Sequence, residues 1–329
     1  MTSPSRTRIV TVARHEYRAA VRNRLLVTLA GILVAVTIAS VYIASADYAS
    51  QLADYNAYRD AATASGLDRI APSPLAPLSL LRGAIEYVEI IGAVIAIAIG
   101  YLSVSQERAN RTLGLLRSRP LTGGEHALGS LLGALAVFAT LIAATAITAI
   151  ACVGIIGNDW LGAADLLQLL LAYIAALFYM AAFYALGAIA TARSRVAANG
   201  LMVALGVWLV VVLILPQIGD TLDADNQVPG GLFSALGLGH DGEVTILTHF
   251  TTYERIRTFT ENLSLAKHFE RFAFAMTDVK DRYRPYSLGL LLRTTWADIA
   301  WLTAAAVVLT AGLRRTFRTQ PPITQGATQ

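Results

Sequence analysis

Three ionisable side chains stand inside apolar stretches of the chain: Glu86, Glu89 and Asp298. Glu86 and Glu89 lie three residues apart, so a helix brings them to one face. An ionisable group within a membrane is costly and by default marks an ion or substrate path. All three also lie within about two turns of a span's outer boundary, where a side chain can reach the interface. They are therefore candidates for a path or for the interface.

Other chemistry is missing. No G-x-x-x-x-G-K-[ST] phosphate loop, H-E-x-x-H, paired C-x-x-C or G-x-S-x-G occurs. The expectation is a non-catalytic chain with no cofactor of its own. The five histidines, His15, His126, His240, His249 and His268, are scattered. His240, His249, His268 and Met276 are soft-metal donors in type, but no ligand spacing recurs, so no metal is assigned. Asn262-Leu263-Ser264 matches a glycosylation sequon.

The elements that position these groups follow from composition. Of 329 residues, 55% are hydrophobic and only 15% charged. A soluble domain carries about a quarter charged residues, so a soluble globular protein is excluded. A single cysteine, Cys152, excludes a disulfide scaffold. About 20 apolar residues cross a bilayer as a helix. Six stretches meet that length, near 25–46, 83–105, 127–156, 166–192, 196–216 and 294–313. The apolar run of the first is too long for a signal-peptide core.

Charge sets the orientation. Residues 1–24, the loop after span 2, the turn after span 4 and the tail together carry 15 arginines and three acids. The opposite side is acidic on balance. Positive charge stays inside, so both termini are expected in the cytoplasm of a multi-pass plasma (inner) membrane protein. The net charge of +4 then suits anionic lipid rather than nucleic acid.

The resulting plan is an all-α membrane protein. Residues 1–24 form a cytoplasmic amphipathic helix, with Ile9, Val10, Ala13, Tyr17, Ala20 and Val21 at helical spacing. Residues 25–216 hold spans 1–5, with a loop at 106–126. Residues 217–293 form an extracytoplasmic segment, 294–313 the sixth span and 314–329 a cytoplasmic tail. Residues 47–82 read as polar, with an extended second half set by Pro72, Pro74 and Pro77. Within 217–293, residues from Ile246 to Met276 recur at steps of three and four. This predicts helices lying on the outer membrane surface or on an extracytoplasmic partner. Gly129 and Gly133 make a small-xxx-small pair suited to close packing within the bundle.

The loop between spans 2 and 3 reads SQERANRTLGLLRSRPLTGGEHALGSLLG from Ser105 to Gly133. A charged pair ends span 2, an apolar cluster lies between arginines, Pro120 stops the helix and Gly123-Gly124 turns the chain. This segment resembles the cytoplasmic loop of ABC-2 type transporter permeases. Glu107, Arg108, Thr112, Leu113, Leu115, Leu116, Ser118 and Pro120 stand at matching places, whereas Arg111 replaces the usual glycine. The six-span plan is similar to that of the permease in the copper-maturation ABC system of nitrous oxide reductase. The resemblance implies a membrane subunit, an exporter by expectation, paired with a second copy or paralogue. ATP and Mg would be held by a separate ABC ATPase. That ATPase would grip a coupling helix built from Glu107, Arg108, Arg111, Thr112, Leu113, Leu115, Leu116, Arg117 and Pro120. The alternative is a membrane scaffold or assembly protein that holds an extracytoplasmic partner.

Overall fold

The computed structural model describes residues 4–66, 76–109, 122–222, 236, 237, 242, 251–279, 283, 284 and 286–319. Among them there is no strand, and six helices are long and apolar enough to cross a membrane.

Helix α1 (Pro4–Arg22) stops at Asn23, whose extended backbone and side-chain oxygen cap α2 (Arg24–Ala64) by accepting from the Leu26 amide. At 1.5 Å per residue α2 is about 60 Å long, roughly twice the hydrocarbon thickness. The helix therefore continues through residues 47–64, which the sequence reading placed in a polar outer segment. Beyond Gly31 no proline or glycine occurs until Gly66, which adopts φ +70 just past the helix end. Pro77, expected in extended chain, instead opens a 3-10 turn (Pro77–Leu81). Pro72 and Pro74 lie outside the described residues.

The second span continues as α3 (Arg82–Tyr87), a π-helical turn (Val88–Gly92) and α4 (Ala93–Ala109). Then come α5 (Gly123–Ile155), α6 (Ala163–Arg193) and α7 (Ala197–Trp208). A π-helical turn (Leu209–Ile214) leads into α8 (Leu215–Leu222). Pro216 explains that turn, since it has no N–H to return to the preceding carbonyls. The chain resumes with α9 (Thr251–Leu263), α10 (Leu265–Met276), α11 (Leu288–Thr294) and α12 (Trp296–Thr319).

Lipid tails are as apolar as leucine, so close packing of small residues must hold such spans together. The most buried spans are the second and fourth, 61% and 67% against 11% for the fifth. Their seam is built accordingly. Ala93, Ala96, Ala175, Ala176, Ala185 and Ala188 are all fully buried. A Cβ on Gly187 would stand 2.6 Å from the Ile97 carbonyl oxygen, so this close approach requires glycine. Gly129 and Gly133 likewise pack within the chain, receiving α1. Added Cβ atoms there would lie 2.6 Å from the Cβ atoms of Val12 and Glu16. Only part of the α1 stripe is covered: Ala20 is buried, whereas Val10 and Val21 are exposed.

The segment between spans 5 and 6 departs most from expectation. Helices α9 and α10 form a hairpin that enters the bundle. Ser264 at its tip is fully buried and donates to the Val211 carbonyl at 2.6 Å. From there α10 runs back along α6, with Phe269 stacked on Tyr179 at 4.9 Å. Phe269, Phe272, Phe274 and Met276 are buried, whereas Ile256, Phe259 and Leu263 of α9 are exposed. The apolar spacing was thus read correctly as helical, but α10 is a core element rather than a surface one.

Candidate functional site

Two regions hold the residues singled out from the sequence. The first is the Arg-rich end of α4. Arg108 lies in its last turn, where Nη2 donates to the Ala192 carbonyl at 2.6 Å and Nη1 to the Ser194 carbonyl at 2.8 Å. These are carbonyls at the end of α6, which lack intrahelical partners. A guanidinium also complements the negative C-terminal end of the helix dipole. Arg108 thus clamps the end of span 2 to the end of span 4.

The other edge of the loop is tied as firmly. Thr122 caps α5 in a reciprocal box: its hydroxyl accepts from the Glu125 amide at 3.2 Å, and Glu125 Oε2 accepts from the Thr122 amide at 2.9 Å. Glu125 also pairs with Arg8 of α1 at 3.3 Å. His126 lies against Phe317 near the end of α12, ring centroids 5.3 Å apart. Residues 110–121, which join the two in sequence, lie outside the described residues. Arg111, Thr112, Leu113, Leu115, Leu116, Arg117, Ser118 and Pro120 all belong to that stretch. Glu107 lies in α4, but its side chain is also outside the described set.

The second region is a charged layer at the opposite end. Glu86 and Glu89 differ in surroundings, although Glu86 lies within electrostatic range of Glu89. Glu86 is half-exposed and held by Arg82 at 2.8 Å, whereas Glu89 is buried, 7% exposed. Glu89 sits in the π-helical turn, a distortion frequent at functional sites. Its backbone carbonyl accepts from the Tyr179 hydroxyl at 2.9 Å. Its carboxylate lies within electrostatic range of Lys267, Glu270 and Asp220.

Lys267 is the cation of this layer, 2.8 Å from both Asp220 and Glu270. Burial opposes its charge, but the two carboxylates overcome that and hold the ammonium above the usual lysine range. A neighbouring cluster fixes Asp298, which meets His268 Nδ1 at 2.7 Å and Arg271 at 3.1 Å. The other His268 nitrogen faces the Asn262 carbonyl at 3.1 Å, and its ring stacks on Trp301. Asp298 therefore secures the hairpin to span 6.

Asn262 accepts from Arg271 at 2.9 Å, and Ser264 points inward. The sequon is therefore structural: Ser264 Oγ caps α10 by accepting from the Lys267 amide at 3.2 Å. Sequence reasoning missed Lys267, Glu270, Asp220 and Arg271. One signal was available: the run from Phe269 to Met276 carries apolar residues almost all round, the mark of a buried helix. No group of three or more His, Cys, Asp or Glu suited to a metal occurs among the described residues.

The arrangement defines an all-α, multi-pass membrane protein in which the buried α10 brings Lys267 to a layer of carboxylates. Residues 10–320 match the ABC-2 family transporter protein family, nearly the whole chain, and the chain belongs to that family. The match covers the family as a whole and does not single out the copper-maturation permease. A comparison with curated proteins returns no significant match. Membership makes the chain an ABC transporter permease, typically a non-catalytic membrane subunit working with an ABC ATPase.

Proposed function

We propose that this chain is the membrane subunit of an ABC exporter, driven by a separate ATPase that docks on residues 106–126 from the cytoplasm. The observation that carries this reading is the double anchoring of that loop, by Arg108 on one side and by Glu125 with Arg8 on the other. A push on the loop would move α4, α5 and α1 together and would reach α6 through the Arg108 clamp. The Arg-rich end is the cytoplasmic one on the positive-inside argument. Both termini would then lie in the cytoplasm of the plasma (inner) membrane.

Movement of α4 bears directly on the π-helical turn that holds Glu89. The layer of Glu89, Lys267, Glu270 and Asp220 would serve as the outer gate, parting when two such subunits, identical or paralogous, are driven by ATP and Mg on their ATPases. Of the three acids first considered for a path, Glu89 has the burial and charged neighbours that support such a role. Asp298 anchors the hairpin, and Glu86 remains near the surface with Arg82.

The test is affinity purification of the tagged chain from its native membrane in mild detergent, beside a variant carrying Leu115→Asp and Leu116→Asp. An ATPase that accompanies the parent and is lost from the variant supports the docking site. If no ATPase accompanies the parent, the exporter reading fails and the scaffold alternative takes its place. ATP-dependent uptake into inside-out vesicles then tests direction.

A further inference from the structure

The corner between α1 and α2 carries a feature that coupling to an ATPase does not use. Below the break at Asn23 lies a groove of about 170 Å³. Tyr17, Ala20, Leu26 and Ala30 form its near wall, and Ile95 and Ile99 of α4 its far wall. Almost all of the surface facing the groove is apolar. A groove of this kind between membrane helices takes a hydrocarbon chain.

No arginine lines the groove, but arginines alternate in sequence with its lining residues at the end of α1 and the start of α2. Arg14, Arg18 and Arg22 recur four residues apart on the exposed side of α1, and Arg24 follows the break, also exposed. None of the four has an acidic partner among the described residues. Like charges four apart on a helix repel, so an external anion would stabilise this stripe. The first amides of α2 add their positive end to the same corner. An apolar slot with exposed, uncompensated guanidinium groups on the same turns of α1 and α2 matches an amphiphile with an anionic head.

We propose that this corner binds an anionic phospholipid, with its phosphate on Arg18, Arg22 and Arg24 and one acyl chain in the groove. Arg14 extends the field one turn further. Because α1 also holds Glu125 through Arg8, the bound lipid sets the angle of α1 and hence of the loop edge. Binding itself does not depend on the exporter reading.

The experiment uses the full chain in mild detergent, stripped of lipid, with native mass spectrometry and melting temperature as readouts. The probes are phosphatidylglycerol, phosphatidylcholine with the same chains, and inorganic phosphate. The parent is expected to retain phosphatidylglycerol selectively and to melt higher with it. The variant Arg18→Gln/Arg22→Gln/Arg24→Gln loses about fivefold in affinity per arginine, on the order of 100-fold in all. Ala30→Leu fills the groove and abolishes retention with every arginine in place. Equal retention of the two lipids by the parent, equal protection by inorganic phosphate, or undiminished binding in the triple variant overturns the proposal. The arginines are exposed, so the triple variant decides the matter if Ala30→Leu fails to fold.

Discussion

Arg108 and Ser194 are 86 residues apart in sequence, yet the guanidinium of one donates to the backbone carbonyl of the other at 2.8 Å. The bond joins the two most buried spans at the end where the candidate coupling loop begins. Replacing Arg108 with alanine removes two charge-assisted hydrogen bonds and leaves helix-end carbonyls without partners. The expected cost is about 2–3 kcal/mol, read as a lower melting temperature in detergent. Arg108→Lys should recover little, because an ammonium cannot bridge two carbonyls as a planar fork does. If the ATPase docks as proposed, it should still co-purify with Arg108→Ala while its stimulation by the membrane subunit falls. Full stimulation in Arg108→Ala would show that the clamp carries no motion.

The seat of α1 on α5 depends on Gly133, where an added Cβ would lie 2.7 Å from the Ala13 carbonyl oxygen. Gly133→Val should lift α1 away at a cost of about 1–3 kcal/mol. It should also make the α1 segment sensitive to protease. Gly31→Ala and Gly206→Ala are controls, because both positions face open space. In a helix interior each control should be neutral or gain up to about 1 kcal/mol. Equal protease sensitivity in Gly133→Val and the parent would place α1 elsewhere.

Lys267 sits among Glu89, Glu270 and Asp220, so its removal leaves the buried Glu89 and the partly exposed Glu270 and Asp220 without their cation. Lys267→Met should destabilise by about 1–3 kcal/mol, less than a fully buried pair would, because solvent reaches Asp220 and Glu270. In a Glu270→Gln background the same change should cost much less, since one of the carboxylates it neutralises is already gone. A double-mutant cycle measures the difference. Additive effects would mean that the 2.8 Å contact contributes nothing.

Asp278 adopts φ 50, a conformation that asparagine also tolerates. Burial, together with the nearby Asp165, raises its carboxyl pKa, partly offset by Arg284. A raised folded-state pKa means that the group supports folding below its unfolded value and that this support is lost as pH rises through the folded value. Asp278→Asn should therefore raise the melting temperature at pH 7.5 and give no gain near pH 4. A gain of the same size at both pH values would remove the electrostatic explanation.

The hairpin predicts a sharp contrast in labelling. A cysteine at Phe259, which is 65% exposed, should react with a small thiol reagent, and one at Phe272, 2% exposed, should not. Cys152→Ala serves as background. Reaction at both positions would mean that α10 lies on the surface.

What the sequence determined by itself is the membrane plan. Span length, arginine asymmetry and the loop pattern are local properties, written in runs of consecutive residues and readable one segment at a time. The six spans therefore came out in number and order, although the first helix runs on to Ala64, and the small pair at Gly129 and Gly133 packs within the chain. Helical spacing from Ile256 to Met276 was equally visible. Spacing reports a periodicity, however, and not what covers the apolar face. Only tertiary structure decided that Phe269 meets Tyr179 while Phe259 remains exposed. The same holds for charge. Glu86 and Glu89 are three apart in sequence, but the π-helical turn that begins between them and the lysine brought in by α10 separate their surroundings. Lys267 and Glu89 are 178 positions apart, and no local pattern links them. Their partnership exists because the chain folds back at Ser264, whose hydroxyl must find the Val211 carbonyl once water is excluded.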